Sequence, residues 1–213
     1  MTKKQLEIIL SKLKPAENPK VSLEQYTIPS GLAAEILNLA YLNGDIENKV
    51  VLDLGCGTGR LALGALLFGA KEVVAVDIDD KVLDTAEENM HSLFTIIPKD
   101  IQFKGSIKFV LSDVKDFSGK FDTVIQNPPF GIQKEHADRL FLSKAMECGK
   151  RIYSLHKDGY EKTRAFITKF VENEGGKVKQ TMPFKFSVPH MFDFHKKPKK
   201  EFSVDLYVIE SPK

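Results

Sequence analysis

Two stretches of the chain carry side chains whose types and spacing suit work on a ligand. The first is "VVLDLGCGTGR", which sets Gly55, Gly57 and Gly59 at alternate positions behind an apolar run. Glycines at such a turn let the backbone bend sharply and come close to a bound molecule. Asp53 stands two residues before the first glycine, Asp77 twenty residues after Gly57, and Asp113 after a third apolar run. A carboxylate at the end of the second strand accepts hydrogen bonds from ribose hydroxyls. One after the third run suits the exocyclic amine of an adenine ring. The second stretch is "NPPFG", residues 127–131. Each proline fixes φ near −65° and removes an N–H donor. The pair therefore holds two acceptors rigid, the Asn127 side-chain oxygen and the Pro128 carbonyl. Two fixed acceptors match the two hydrogens of a planar NH2 group. Gripping both draws electron density onto the nitrogen and turns its lone pair outward. That is preorganisation, and it needs neither a histidine nor a metal. Phe130 is placed to stack on a flat base, a contact worth about 1–3 kcal/mol in single-strand binders.

The spacing G-x-G-x-G departs from the dinucleotide pattern G-x-G-x-x-G. It resembles the loop that takes the amino-acid half of S-adenosylmethionine (AdoMet). AdoMet has no pyrophosphate, so an acid near the loop is tolerable there and adverse in a dinucleotide site. On this reading the cofactor contacts are Asp53, Gly55, Gly57 and Thr58 around the first loop. Asp77 with Ile78 follows at the second strand, and Asp113 with Val114 beyond the third. The grip on the methyl acceptor is Asn127, Pro128, Pro129 and Phe130. Transfer is an in-line displacement, with the amine proton leaving afterwards.

These loops need a scaffold that brings the ends of several strands together. "KVVLDLG", "EVVAVDI", "IKFVLSD", "FDTVIQN" and "RIYSLH" are apolar β-branched runs, as expected of strands covered on both faces. Between them lie helical patterns over 59–70, 80–93 and 136–149, with another over 160–176. Repeated strand–helix units predict a parallel sheet with right-handed crossovers. The end differs: "KVKQTMPFKF" and "EFSVDLYVIE" have no helix between them and predict an antiparallel pair. The expected fold is α/β and Rossmann-like, a mostly parallel seven-stranded sheet with helices on both faces and a C-terminal antiparallel hairpin. A chain of 213 residues suits one domain. Residues 1–28 would be an N-terminal helix and a segment closing over the cofactor, and 29–213 the core.

Composition narrows the setting. No stretch is long and apolar enough to cross a bilayer. The N-terminus is amphipathic, with Leu6, Ile9, Leu10 and Leu13 at helical spacing, and carries no secretory h-region. Cys56 and Cys148 are far apart, with no disulfide framework and no zinc spacing, which points to a reduced, cytoplasmic protein without a metal. Net charge is only +2, but residues 177–200 hold seven lysines and one acid. Within them Phe194, His195, Lys196, Lys197, Lys199 and Lys200 interleave rings and cations. That mixture suits an unpaired nucleic-acid strand, with lysines neutralising phosphates without reading sequence. A solvated charged face is the plainer account of the same run.

The combined motifs bring a specific resemblance. "LEQY" (23–26), "DIENKVVLDLGCGTG" (45–59), "DIDD" (77–80), "FDTVIQNPPFG" (121–131), "YSLHK" (153–157), "FHKKP" (194–198) and "VDL" (204–206) cover most of the chain. With them the chain resembles the archaeal and eukaryotic methyltransferase-like family that methylates adenine N6 in small-subunit ribosomal RNA. The resemblance implies that Gln25 and Thr27 close over AdoMet. It also implies Gly55, Thr58, Asp77, Asp113 and Val114 around the cofactor and 127–130 around the target adenine. The family usually has one more residue between the Tyr and the Thr than "LEQYT" shows. Eukaryotic members work with a small zinc-binding activator subunit, and the apolar stretch "SLFTIIPKDIQF" (92–103) is where one would be sought. Other readings stay open: a DNA-adenine or protein-glutamine methyltransferase with the same NPPF chemistry, or an AdoMet-binding ribosome-assembly protein without turnover.

Overall fold

The computed structural model describes residues 1–98, 101–129, 137–157, 160–189 and 199–212. In chain order the elements are α1 (Lys3–Ser11), α2 (Ser30–Leu42), β1 (Val50–Leu54), α3 (Arg60–Leu67), β2 (Glu72–Asp77) and α4 (Asp80–Ile96). They continue with β3 (Ser106–Leu111), β4 (Phe121–Gln126), α5 (Ala137–Cys148), β5 (Gly149–Lys157), α6 (Tyr160–Asn173), β6 (Lys177–Pro189) and β7 (Lys199–Glu210). The seven strands form one sheet in the order β3-β2-β1-β4-β5-β7-β6. The first five are parallel, and β7 runs antiparallel to both β5 and β6. This is the mostly parallel sheet with a terminal hairpin that the strand–helix alternation predicts. The chain moves outward from β1 to β2 and β3, then crosses back to β4 on the other side of β1. Such a reversal opens a crevice at the carboxyl ends of the central strands.

Strand parity divides the core. Val51, Val73, Ala75, Ile125, Tyr153 and Leu155 face one layer with apolar residues of α1, α2, α3 and α4. Leu52, Leu54, Val74, Val76, Val124 and Ile152 face the opposite layer with Leu142, Ala145 and Met146 of α5 and Ile167 and Val171 of α6. Alternating sides along a strand produce this split directly.

The N-terminal helix belongs to the first layer. Thr2 and Gln5 form a reciprocal capping box at its start. Leu6 and Leu10 are fully buried, and Gly64 of α3 makes room for this packing. A Cβ at Gly64 would stand 2.3 Å from Leu37 Cδ1 and 3.5 Å from Leu10 Cδ1. Two boundaries differ from the sequence expectation. The helix α2 precedes the first strand-like run and falls outside the strand–helix alternation that the motifs mark out. The strand β7 begins at Lys199, two residues before the run "EFSVDLYVIE", and the backbone of Lys199 and Lys200 pairs with Pro189 and Val188 in a long hairpin ladder.

Candidate active site

The carboxyl ends of β1, β2 and β4 meet around a cavity of about 250 Å³. Its floor is the loop between β1 and α3. Gly55, Gly57 and Gly59 have φ of +76°, +53° and +79°, values that residues with a Cβ reach only at a cost. The loop is tied to the neighbouring strand, with the Gly55 and Cys56 N–H groups donating to the Val76 carbonyl at 2.8 and 2.9 Å.

Asp53 does not line this cavity, contrary to the sequence expectation. It sits beneath the loop, 1% exposed, with Oδ2 accepting from the Ala62 N–H at 2.8 Å. Gly59 is the N-cap of α3 and offers no side chain, so Asp53 satisfies one of the free helix donors from the adjacent strand. Its parity explains the placement, since it points to the same side as Val51, toward α3. Burial pushes its carboxyl up to about 7.

Asp77 does line the cavity. Its Oδ2 accepts from Gly57 N at 2.8 Å and Oδ1 from Asp79 N at 3.0 Å. Burial raises its pKa against the pull of these backbone donors. An ionised carboxylate has about four acceptor positions, so two backbone bonds leave capacity for hydroxyl donors. Ile78, Asp113 and Val114 line the same space, as do Gly55, Gly57 and Thr58.

The roof is the segment between α1 and α2. All residues from 22 to 28 line the cavity, including Gln25 and Thr27. Gln25 Nε2 donates to Asp79 Oδ2 at 2.9 Å, and Lys20 Nζ pairs with the same oxygen at 2.8 Å. Burial works to raise the Asp79 carboxyl, yet these partners hold it below its ordinary value. Thr27 Oγ1 accepts from Ala16 N at 3.3 Å. Arg60 anchors the far end, donating through Nη1 to the Ile28 carbonyl at 2.5 Å and through Nη2 to the Leu13 carbonyl at 3.3 Å. Buried Asn89 of α4 donates through Nδ2 to the carbonyls of Lys14 and Thr58, both at 3.0 Å, binding this roof to the glycine loop.

The β4 end supplies the fourth side. Asn127 and Pro129 line the cavity, whereas Pro128 is buried and does not. The Tyr26 hydroxyl donates to Asn127 Oδ1 at 2.8 Å. Burial raises the pKa of Tyr26 well above the ordinary phenol value, so the hydroxyl keeps its proton. Below the loop, Gln126 Nε2 donates to Ser154 Oγ at 2.8 Å, and Ser154 Oγ lies 2.8 Å from His156 Nε2. His156 is buried, which lowers its pKa to about 4. It is neutral at pH 7 and does not line the cavity. Phe130, Phe194, His195, Lys196 and Lys197 lie outside the described residues.

Several functional contacts were not read from sequence. Tyr26, Arg60 and Phe141 line the cavity, and Asp79 anchors its roof. Asp79 stands in the quoted "DIDD" and Tyr26 in "LEQY", but only the fold shows what each one touches.

The residues suit AdoMet on three counts. The cavity is lined mainly by apolar groups, with carboxylates Asp77 and Asp113 placed for hydroxyl and amine donors. Arg60 Nε is buried without a hydrogen-bond partner beside the cavity, a donor suited to an amino-acid carboxylate. Gly57 has no heavy atom within 4 Å of where a Cβ would stand, so the loop leaves free space above its backbone. No helix among the described residues is long and apolar enough to cross a membrane.

Residues 32–152 match the family described as the methyltransferase small domain. The chain is 42% identical over 220 residues to an uncharacterized protein of Methanocaldococcus jannaschii, covering 98% of this chain and 94% of that one. It is 34% identical over 212 residues to the rRNA N(6)-adenosine-methyltransferase METTL5 of Danio rerio, covering 96% and 97%. A Pyrococcus horikoshii crystal structure, provisionally described as an RNA methyltransferase, superposes with a TM-score of 0.88 at 46% identity, covering 99% and 98% of the two chains. The chain belongs to the methyltransferase small domain family and is an AdoMet-dependent methyltransferase.

Proposed function

We propose that this chain methylates the exocyclic N6 of an adenine in small-subunit ribosomal RNA. The observation that carries the reading is the meeting of two sites in one cavity. Asn127 and Pro129 open onto the same space as Asp77 and Asp113. The names of the zebrafish and other animal relatives support adenine N6 of rRNA as the target. The quoted family motifs support the small subunit.

AdoMet, when bound, supplies an electrophilic methyl group on a sulfonium. The chain's own part is to hold the amine. Asn127 Oδ1, which lines the cavity, accepts one of its hydrogens. The Pro128 carbonyl, the second acceptor read from the sequence, belongs to a buried residue outside the lining and would have to face the amine as it arrives, and the prolines hold this backbone rigid. Phe130 stacks on the base, which must leave its own stack to arrive there. His156, buried and neutral, takes no part in proton transfer.

The activator subunit implied by the resemblance would find an apolar edge at β3. This strand closes one side of the sheet, and Leu111 at its end and Phe94 of α4 are 61% and 65% exposed. Residues 1–213 act as one domain on this reading, with the N-terminal helix and roof packed on the core.

The test is tritium transfer from labelled AdoMet into separately purified ribosomal RNA, DNA and protein, followed by mass spectrometry of digested nucleosides. N6-methyladenosine in the small-subunit RNA alone is the expected outcome. Label in protein or DNA, or no transfer by an AdoMet-binding preparation with its activator present, would overturn the reading.

A further inference from the structure

We propose that Tyr26 is a positioning residue for methyl transfer, linking closure of the roof over the cofactor to the orientation of Asn127 toward the acceptor amine. This rests on the reading of Asn127 as the amine grip. Three observations support it.

The first is connectivity. Among the described residues the roof touches the core through Gln25 and Lys20 on Asp79, through Arg60 on the Leu13 and Ile28 carbonyls, through Asn89 on Lys14, and through Tyr26 on Asn127. Among these contacts of the described residues, Tyr26 is the one that reaches the acceptor side of the cavity. The others hold the cofactor side.

The second is the chemistry of the bond. An asparagine amide rotates about a broad, roughly two-fold torsion, and only its oxygen can accept from an amine. In the structure the Tyr26 hydroxyl donates to Oδ1 at 2.8 Å and holds the amide with its oxygen on the Tyr26 side. A carbonyl oxygen has two lone pairs, so the second stays open for an amine hydrogen. An Asn127 turned the other way would present N–H donors to the amine and repel it.

The third is support from behind. The Tyr26 ring stacks on Phe186 of β6, with centroids 6.1 Å apart and planes 22° from parallel. The ring is thus held against the terminal hairpin, which limits the directions its hydroxyl can take. A raised roof would carry Tyr26 away and free the Asn127 amide.

The test separates this inference from the functional reading. Release of tritiated AdoMet is timed against excess unlabelled AdoMet for wild type, Tyr26→Phe, Asn127→Ala and the double variant. Tyr26→Phe keeps the ring and its stacking, and a thermal melt verifies the fold. Losing one net hydrogen bond should speed release about three- to tenfold in either single variant. The double variant should release no faster than the quicker single, because one bond joins the pair. Unchanged release in Tyr26→Phe, or effects that multiply in the double variant, would overturn the link whatever the substrate is. With rRNA as acceptor, Tyr26→Phe should lower kcat by a similar factor of about three to ten, leaving the RNA KM within about twofold. A change confined to KM would overturn the positioning role. Absence of any RNA methylation by wild type would instead overturn the functional reading, and the release experiment would still decide the link.

Discussion

The two halves of the cavity are built differently. The floor of the cofactor half comes from short-range sequence. Asp77 bonds the N–H of Gly57 twenty residues away, and of Asp79 two residues away. The acceptor half is assembled from far apart. Tyr26 meets Asn127 across 101 residues, backed by Phe186. A half made of adjacent strand ends and backbone donors stands or falls with the fold. A half that borrows a side chain from a roof can be opened without unfolding anything.

A buried titratable group lies under each half, and the two work in opposite directions. Asp53 beneath the glycine loop has a pKa raised by burial to about 7. The folded protein therefore binds its proton before the unfolded chain does, and stability rises as pH falls from about 7 toward 4. His156 beneath the Asn127 loop is lowered by burial to about 4. There the unfolded chain takes the proton first, near 6.5, and stability falls over the same range. Each titration is worth on the order of 3–4 kcal/mol, so in wild type they largely offset. Single variants should expose the hidden slopes. His156→Gln should become more stable between pH 6.5 and 4 relative to wild type. Asp53→Asn, which keeps an acceptor for the Ala62 N–H, should become less stable. Urea unfolding at several pH values measures both, and parallel curves for all three proteins would mean that neither group titrates as its burial demands.

The next break is catalytic. Asn127→Ala removes the proposed grip on the amine while leaving Asp77, Asp113 and the glycine loop in place. Turnover should fall about 100-fold or more, the scale of losing a preorganised polar contact at a reacting centre. Equilibrium AdoMet affinity should change by no more than about tenfold, as the loss of one hydrogen bond allows. Near-normal single-turnover rates would reduce the two prolines to a stiff turn.

The converse variant acts on the other half. Asp77→Ala removes the carboxylate that accepts from the Gly57 N–H and is proposed to take the ribose hydroxyls. AdoMet binding should weaken by roughly 1.5–3 kcal/mol, the range for hydrogen bonds to a charged group. Calorimetry with AdoMet checks this, and unchanged affinity in a folded protein would remove the ribose assignment.

How much of this could be read beforehand follows from the same contrast. The sheet was legible because fully buried strands such as "VVLDL" and "EVVAVD" carry near-continuous apolar runs. The cofactor loop was legible because its glycines and acids lie close together in sequence. Asp53 lies close to the glycine motif in sequence, but strand parity and not that nearness decides where its side chain points. Residues 51 and 53 share a face, and Val51 marks it as the α3 side. Tyr26 and Arg60 were missed for another reason. Their partners, Asn127 and the carbonyls of Leu13 and Ile28, are chosen by the path of the roof, and no local pattern encodes a path. The start of β7 was placed too late because Pro198 and the lysines have turn-like composition, whereas ladder pairing with β6 decides where the strand begins.

The smallest effect expected per residue concerns the RNA path beside the acceptor half. Lys196, Lys197, Lys199 and Lys200 crowd five positions of the sequence. Like charges so close repel one another, and an arriving polyanion relieves that repulsion. The backbone of Lys199 and Lys200 pairs with the end of β6, the strand that also carries Phe186 against Tyr26. Changing the four lysines to serine should leave AdoMet affinity unchanged and weaken RNA binding. The dependence of log K on log salt should also flatten, by up to about 0.7–0.9 for each phosphate that is no longer neutralised. The slope is the informative quantity, because a folding defect lowers affinity without changing the number of counterions released. If affinity and slope both match wild type, these lysines form a solvated face. The RNA must then reach Asn127 from the opposite side of the cavity.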